Sequence, residues 1–371
     1  METATSTSME KGKILITVTN DVVFDRRIKR MVDSFSQAGY QVHRVGRLLP
    51  GTPATKTGTD ITLLKCPFHS GPLFYFWFNL QLIHFALKNH FDLHMAVDAD
   101  TLLAGAAIHL MKKRKLILDC HEWFEYTPEL QHSPLKRWLW SALIRWGGRY
   151  AALRLTVSET IATGLEAKYH QPFQVVRNVP LRTNRPAQAK LEPRTLVYLG
   201  VLNAGRGIEI AIRALMRLPG YRLKLIGEGD LSGSLRKEVQ RLKLSERIEF
   251  TGRVLPEDIP GALQGCTFGL LLLDPQSVSY RLSLANKFFD YVQAGLPVLC
   301  SDFPEYRTLM DIHKVGWLIR HYSEEDLINT IIRAEDQEEY ETVRANCEIA
   351  TGEWCWEKEE QKLLQLFRKL G

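Results

Sequence analysis

Lys287 and Asp290 stand three residues apart in the run SYRLSLANKFFDYVQAGLPVLCSDFP, residues 279–304. A polar loop through Ser283 and Asn286 leads into a helical run from Lys287 to Ala294, which Gly295 ends before the apolar strand Val298-Leu299-Cys300. A loop opening on a helix N-terminus collects unpaired backbone N–H groups and the positive end of the helix dipole, which suits a phosphate. Lys287 adds a full charge in that first turn, and Asp290 is placed to accept from vicinal ribose hydroxyls. The same spacing is equally that of an ordinary i,i+3 pair on a helix surface. Upstream, the turn Gly200-Val201-Leu202-Asn203-Ala204-Gly205-Arg206-Gly207 joins a strand to a helix and forms a second phosphate cradle, with Arg206 as its cation. A third constellation lies in the first half of the chain. His121 and Glu122 follow the strand Lys115–Asp119, while Asp98 and Asp100 follow the strand Asp92–Val97. A neutral histidine at a strand end can donate to a sugar hydroxyl, oriented by Glu122 or Glu125. The plainer reading makes His121 a cap or core residue and the two aspartates the cap of the helix Thr101–Met111.

The elements that must position these groups read as two successive α/β halves. KILITVT, residues 13–19, is a β-branched apolar strand. Asn20–Phe24 forms a loop, Asp25 is an N-cap, and a helix with Ile28, Met31, Val32 and Phe35 on one face runs to Gly39 and a second strand. Such βαβ units gather ligands at the carboxyl ends of their strands. Arg26 and Arg27, just past the first loop, either face a diphosphate or are solvated helix charges. The Pro-rich segment PLRTNRPAQAKLEP, residues 180–193, lacks apolar periodicity and reads as a linker. The boundaries expected are therefore a disordered lead-in at 1–12, a first domain at 13–180, a linker at 181–193, a second domain at 194–350 and a closing segment at 351–371 built on an amphipathic helix.

KFFDYVQAGLPVLCSD resembles the donor-binding segment of retaining glycosyltransferases of family 4, the glycosyl transferases group 1, which have the GT-B fold. That resemblance implies two Rossmann-like domains facing a cleft, an N-terminal acceptor side and a C-terminal nucleotide-sugar side, with the closing helix crossing back to the first domain. In the family a Glu-x7-Glu motif precedes the Gly-x-Pro-Val strand. Asp290 falls on its second acidic position, which contacts the ribose, and Leu282 on its first. Arg206 occupies the second basic position of the Gly-rich loop, and Val201 the first. The resemblance further implies that Lys287 and Arg206 hold the diphosphate with Gly205, Ser283 and Asn286. It puts His121 near the donor sugar, and Asp98 in the acceptor-facing part. Gly227, after the strand Arg222–Ile226, and Val254, in a loop whose backbone faces the nucleobase, complete the set. The implied reaction moves a sugar from a nucleotide-diphosphate donor, the co-substrate, to a saccharide or lipid-linked acceptor. No other cofactor and no metal is expected. Two further readings stay open: a nucleotide-sugar 2-epimerase of the same fold, and a nucleotide-sugar-binding protein that has lost catalysis.

Composition narrows the classes. A chain of 371 residues, 45% hydrophobic and 24% charged, suits two globular domains. The net charge of +6 favours anionic ligands and carries no nucleic-acid signature. Six scattered cysteines without a C-x-x-C pair read as reduced thiols of a cytoplasmic protein. No apolar run is long enough to span a bilayer, and the polar N-terminus lacks a secretory h-region. Two aromatic-rich stretches, Phe68–Phe91 and the basic PLKRWLWSALIRWGGRY at 134–150, read as helices packed on the core. They also fit peripheral contact with the inner face of a membrane.

Overall fold

The structure, a computed structural model, describes residues 11–20, 22, 25–49, 60–126, 130, 133–183 and 194–370. Most of the expected lead-in and linker, residues 1–10 and 184–193, lies outside the described residues, as does most of the expected loop after the first strand. The chain divides into two compact units, Met1–Arg177 with Glu359–Gly371, and Asn178–Lys358.

The first unit is built on seven parallel strands: β1 (Lys13–Thr17), β2 (Gln41–Arg47), β3 (Ile61–Leu64), β4 (Leu93–Val97), β5 (Lys115–Cys120), β6 (Ala151–Thr156) and β7 (Gln174–Val175), in the order β3-β2-β1-β4-β5-β6-β7. β4 is buried along its whole length and β5 at every residue after Lys115, as helices on both faces of a parallel sheet require. Asp25 caps the helix Arg26–Gln37, its Oδ1 accepting from the Arg27 and Ile28 amides at 2.9 and 3.0 Å. Gly39, at φ 92°, turns the chain toward β2. β3 carries only four residues, too few to stand out from its polar surroundings in the sequence. From Glu359 the terminal helix Trp356–Arg368 belongs to this unit. Its Leu363 is buried, the Phe367 ring packs tilted against Phe35 with centroids 4.4 Å apart, and Glu359 accepts from the Arg177 amide at 3.0 Å.

The second unit repeats the plan with six parallel strands: β8 (Arg194–Leu199), β9 (Tyr221–Ile226), β10 (Ile248–Gly252), β11 (Phe268–Leu271), β12 (Val298–Ser301) and β13 (Gly316–Ile319), in the order β10-β9-β8-β11-β12-β13. In each sheet the order reverses beside its first strand, between β1 and β4 and between β8 and β11. Loops leave such a point in opposite directions and open a crevice at the carboxyl edge.

β8 and β11 pair over only two residues before they splay. Tyr291, from the helix Asn286–Gln293, fills the gap. Its hydroxyl accepts from the Leu199 amide at 2.8 Å and donates to the Leu270 carbonyl at 3.2 Å. The ring lies flat on Gly269, where a β-carbon would come within 2.3 Å of it. Gly269→Ala should therefore destabilise the second unit by roughly 1–3 kcal/mol, as overpacking does. Gly261→Ala, at an open position of the same unit, should be neutral or slightly stabilising. Urea unfolding of both variants checks the contrast.

Candidate active site

The second unit brings Arg206 and Lys287 to one tyrosine. Lys287 follows Asn286 at the start of the helix Asn286–Gln293, where Ala285 supplies no side-chain cap. Its side chain runs inward until only 7% is exposed, and Nζ ends 3.7 Å from the centroid of the Tyr198 ring. Nζ has no hydrogen-bond partner among the described residues. Burial drives the amine well below its usual range, Arg206 pushes the same way, and Asp290 opposes both. Tyr198, in β8, donates its hydroxyl proton to the Val201 carbonyl at 2.7 Å. Burial pushes its phenol up to about 12, with Arg206, hydrogen-bonded to it, working against that rise. The Arg206 guanidinium also lies 5.3 Å from the Tyr280 ring centroid, and its buried Nε has no hydrogen-bond partner among the described residues. Buried Lys287 and half-buried Arg206 thus set donor nitrogens that are unsatisfied among the described residues against aromatic faces.

Backbone geometry makes the room. Gly200, at φ 133°, ends β8, and a β-carbon there would lie 3.4 Å from Lys287 Nζ. Gly227, at φ 135°, crosses it so closely that a β-carbon would meet the Gly200 carbonyl at 2.0 Å. Gly227 in turn donates to the Gly252 carbonyl at 2.8 Å, so the ends of β8, β9 and β10 are tied at one edge. Gly205, at φ 75°, lets Arg206 turn inward, and its carbonyl accepts from the Asp274 amide at 2.9 Å.

The remaining predicted groups of this unit divide. Asp290 is buried one turn after Lys287. The segment expected to be a polar loop contains the short helix Val278–Leu282, because the Ser277 hydroxyl caps it by accepting from the Tyr280 amide at 3.3 Å. The Ser283 hydroxyl donates to the Tyr280 carbonyl at 2.9 Å and closes that turn, while Asn286 is exposed. Val254 packs against the core, and Val201 is 49% exposed.

In the first unit the constellation is denser than the sequence suggested. Arg27, read as facing a diphosphate or as a solvated charge, is 1% exposed and does neither. It donates to both oxygens of Asp119, from Nε at 3.0 Å and Nη2 at 2.7 Å, and from Nη1 to the Val176 carbonyl at 2.7 Å. His121 Nε2 donates to Asp119 Oδ2 at 2.9 Å, which leaves Nδ1 as the ring's second donor. The orienting carboxylate is thus Asp119, two residues before the ring, rather than Glu122 or Glu125. Glu122 is exposed, and Glu125 is buried, accepting from Ser141 at 2.7 Å, Lys168 at 3.0 Å and the Tyr169 hydroxyl. Asp98, in the left-handed region at φ 57°, accepts from the His121 amide at 2.9 Å. Asp100 accepts from the Thr19 hydroxyl across the β1/β4 switch point, and its buried Oδ1 has no hydrogen-bond partner among the described residues.

Charge follows from this packing. Burial works against ionisation of Asp119, yet Arg27 and then His121 hold its carboxyl well below the usual range. Burial likewise disfavours a charged His121, but Asp119 and Asp98 outweigh it and raise the imidazole to about 9. The ring, expected to be neutral, is therefore an imidazolium at neutral pH. Burial, with Asp98 beside it, pushes Asp100 up to about 7. Among the described residues no group of three or more His, Cys, Asp or Glu is placed to hold a metal ion.

The pairing of Arg27 with Asp119 was not legible in the sequence because the two lie 92 residues apart. The available signal was a carboxylate ending the apolar strand LILDC, since a buried charge needs a partner. Tyr198 and Tyr280 gave no signal, being ordinary aromatic positions in a strand and a turn.

Comparison with known proteins follows the same division. Residues 25–180 match the model of Glycosyltransferase Family 4, and residues 182–348 that of Glycosyl transferases group 1. A curated relative from Kluyveromyces lactis, chitobiosyldiphosphodolichol beta-mannosyltransferase, is 24% identical over 79% of this chain and 76% of its own. Among solved structures, Anabaena HepE in complex with UDP and glucose superposes with a TM-score of 0.76 at 17% identity, covering 96% of this chain and 100% of that one. Sucrose-phosphate synthase from Thermosynechococcus elongatus superposes at 0.77 with 15% identity, covering 97% and 99%.

The charged network sets a pH dependence. His121 is raised above its ordinary 6.5, so its contribution to stability is complete below about 6.5 and is lost as pH rises through about 9. Urea unfolding should show the first unit losing on the order of 2–3 kcal/mol over that interval, and His121→Asn should abolish that slope. Asp119→Asn, which strands Arg27 in the interior, should cost about 3–5 kcal/mol.

Proposed function

The chain belongs to the glycosyltransferases of family 4 and group 1, enzymes of the GT-B fold, and from that premise we propose which chemistry each of its two sites performs. The second unit binds the diphosphate of a nucleotide-sugar. The observation that carries this is the Lys287 amine, buried on Tyr198 without a hydrogen-bond partner and accompanied by Arg206. As the bond from the sugar to the diphosphate breaks, negative charge grows on the leaving oxygen. Lys287, Arg206 and the first-turn amides of the helix Asn286–Gln293 are preorganised to stabilise it. Asp290 takes the ribose hydroxyls, and the backbone around Val254 faces the base. In the first unit the His121 imidazolium donates to an oxygen of the transferred sugar, and Asp98 fixes the loop that carries it.

The anomeric configuration is retained, with the acceptor hydroxyl attacking on the face the diphosphate leaves and passing its proton to the departing oxygen. The acceptor is a saccharide or a lipid-linked saccharide, in surface polysaccharide or glycolipid synthesis at the cytoplasmic side of a membrane. Support for the donor class comes from the UDP-bound structural neighbour, and for the acceptor class from the relative named for a dolichol-linked substrate.

Calorimetry with uridine and guanosine diphosphates tests the site directly. Lys287→Ala and Arg206→Ala should each weaken binding by about 10- to 100-fold, the value of a charge-assisted hydrogen bond. Unchanged affinity in both would remove the diphosphate from this site. Because an anion favours the protonated amine, binding above the depressed Lys287 pKa should take up a proton, read as a buffer-dependent enthalpy. The anomeric proton of the product, followed by NMR, decides retention independently of the binding result.

A further inference from the structure

Two helices of the first unit, Pro72–Lys88 and Pro134–Gly147, leave large apolar side chains in water. Phe76 is 62% exposed, and Trp77 and Leu80 lie beside it on the first helix. Trp138 is 65% exposed, flanked by Leu135 and Leu139 on the second. The helices touch edge to face through Tyr75 and Trp140, with ring centroids 4.9 Å apart, so the two exposed faces belong to neighbouring helices. Their inner faces are already occupied: Phe74, Phe78 and Leu82 of the first helix and Ile144 of the second are in the core. Core packing accounts for eight of the twelve aromatic residues in the stretches 68–91 and 134–150 and leaves four, Phe76, Trp77, Trp138 and Trp146, exposed.

Charge identifies what covers them. Neither helix, of 17 and 14 residues, contains an aspartate or glutamate. Lys136 and Arg137 sit in the first turn of the second helix, where the helix dipole disfavours cations. Arg47 rests on the ring of Phe74 at 4.4 Å. Tryptophan and phenylalanine beside basic residues are the composition of a bilayer interface. Two copies meeting through this face would oppose cation to cation. No described helix is long and apolar enough to cross a membrane, so the contact is one of docking.

We infer that the outer faces of the helices Pro72–Lys88 and Pro134–Gly147 dock on an anionic lipid bilayer, with Phe76, Trp77, Trp138 and Leu139 entering the interface and Lys136 and Arg137 meeting the headgroups. Both helices start at the carboxyl edge of the sheet, the edge at which His121 lies. Docking here brings a lipid-anchored acceptor to that edge. This consequence rests on the acceptor assigned above, whereas the docking itself does not.

Flotation of the full chain with vesicles tests it. Binding is expected to phosphatidylcholine vesicles containing about 30% phosphatidylglycerol, with little to phosphatidylcholine alone, and should weaken in roughly 0.5 M salt. Lys136→Ala with Arg137→Ala should reduce partitioning by roughly thirty-fold, and Phe76→Ser with Trp138→Ser by at least about tenfold. Phe76, Lys136 and Trp138 are exposed and Arg137 is half-buried, so circular dichroism, melting temperature and nucleotide binding should not change. Equal binding to both vesicle types, or binding indifferent to both double variants, would overturn the inference. So would light scattering that shows a dimer broken by Phe76→Ser with Trp138→Ser, which would assign the face to a second copy.

Discussion

A lysine amine kept out of water is the constraint on which the second unit depends. Removing an ammonium group from solvent is costly, and a cation–π contact with Tyr198 offsets part of that cost at most. A second cation, Arg206, is held on the same tyrosine and raises the cost further. The surrounding fold enforces the arrangement. Tyr291 wedges apart β8 and β11 and anchors the helix that carries Lys287, and the crossing of Gly200 with Gly227 clears the space around Nζ. Strain of this kind persists only where neighbouring contacts over-determine it.

The two units share one topology and use its switch point in opposite ways. In the first, the crevice is filled by charges that neutralise one another: Arg27 with Asp119, Asp119 with His121, and Asp98 with the His121 backbone. What this network leaves over is a single oriented donor, the second nitrogen of the imidazolium. In the second unit, the buried nitrogens Lys287 Nζ and Arg206 Nε have no hydrogen-bond partner among the described residues. A balanced, rigid site suits the positioning of an uncharged sugar, and an unbalanced one suits a diphosphate.

Local signals in the sequence carried far. The helix from Asn286, its end at Gly295 and the strand Val298–Ser301 follow from periodicity and a glycine, which act within a few residues. Asp25 and Ser158 cap their helices as short polar residues before apolar runs do. Short strands were harder. Ile61–Leu64 and Gly316–Ile319 have four residues each and are strands because a neighbour pairs with them. Ser279–Leu282 reads as polar loop, yet the Ser277 cap makes it part of a helical turn.

The sequence by itself determined two parallel α/β halves and put a lysine, an arginine and a histidine at the ends of the right elements, because those elements arise from local patterning. Only the tertiary structure decided what those groups are. It made His121 a cation by setting Asp119 against it, and it turned Arg27 from a surface charge into the counter-ion of that aspartate, 92 residues distant. It also left Lys287 facing an aromatic ring instead of a carboxylate. Protonation and desolvation depend on groups far apart in the chain, and no window of sequence contains them.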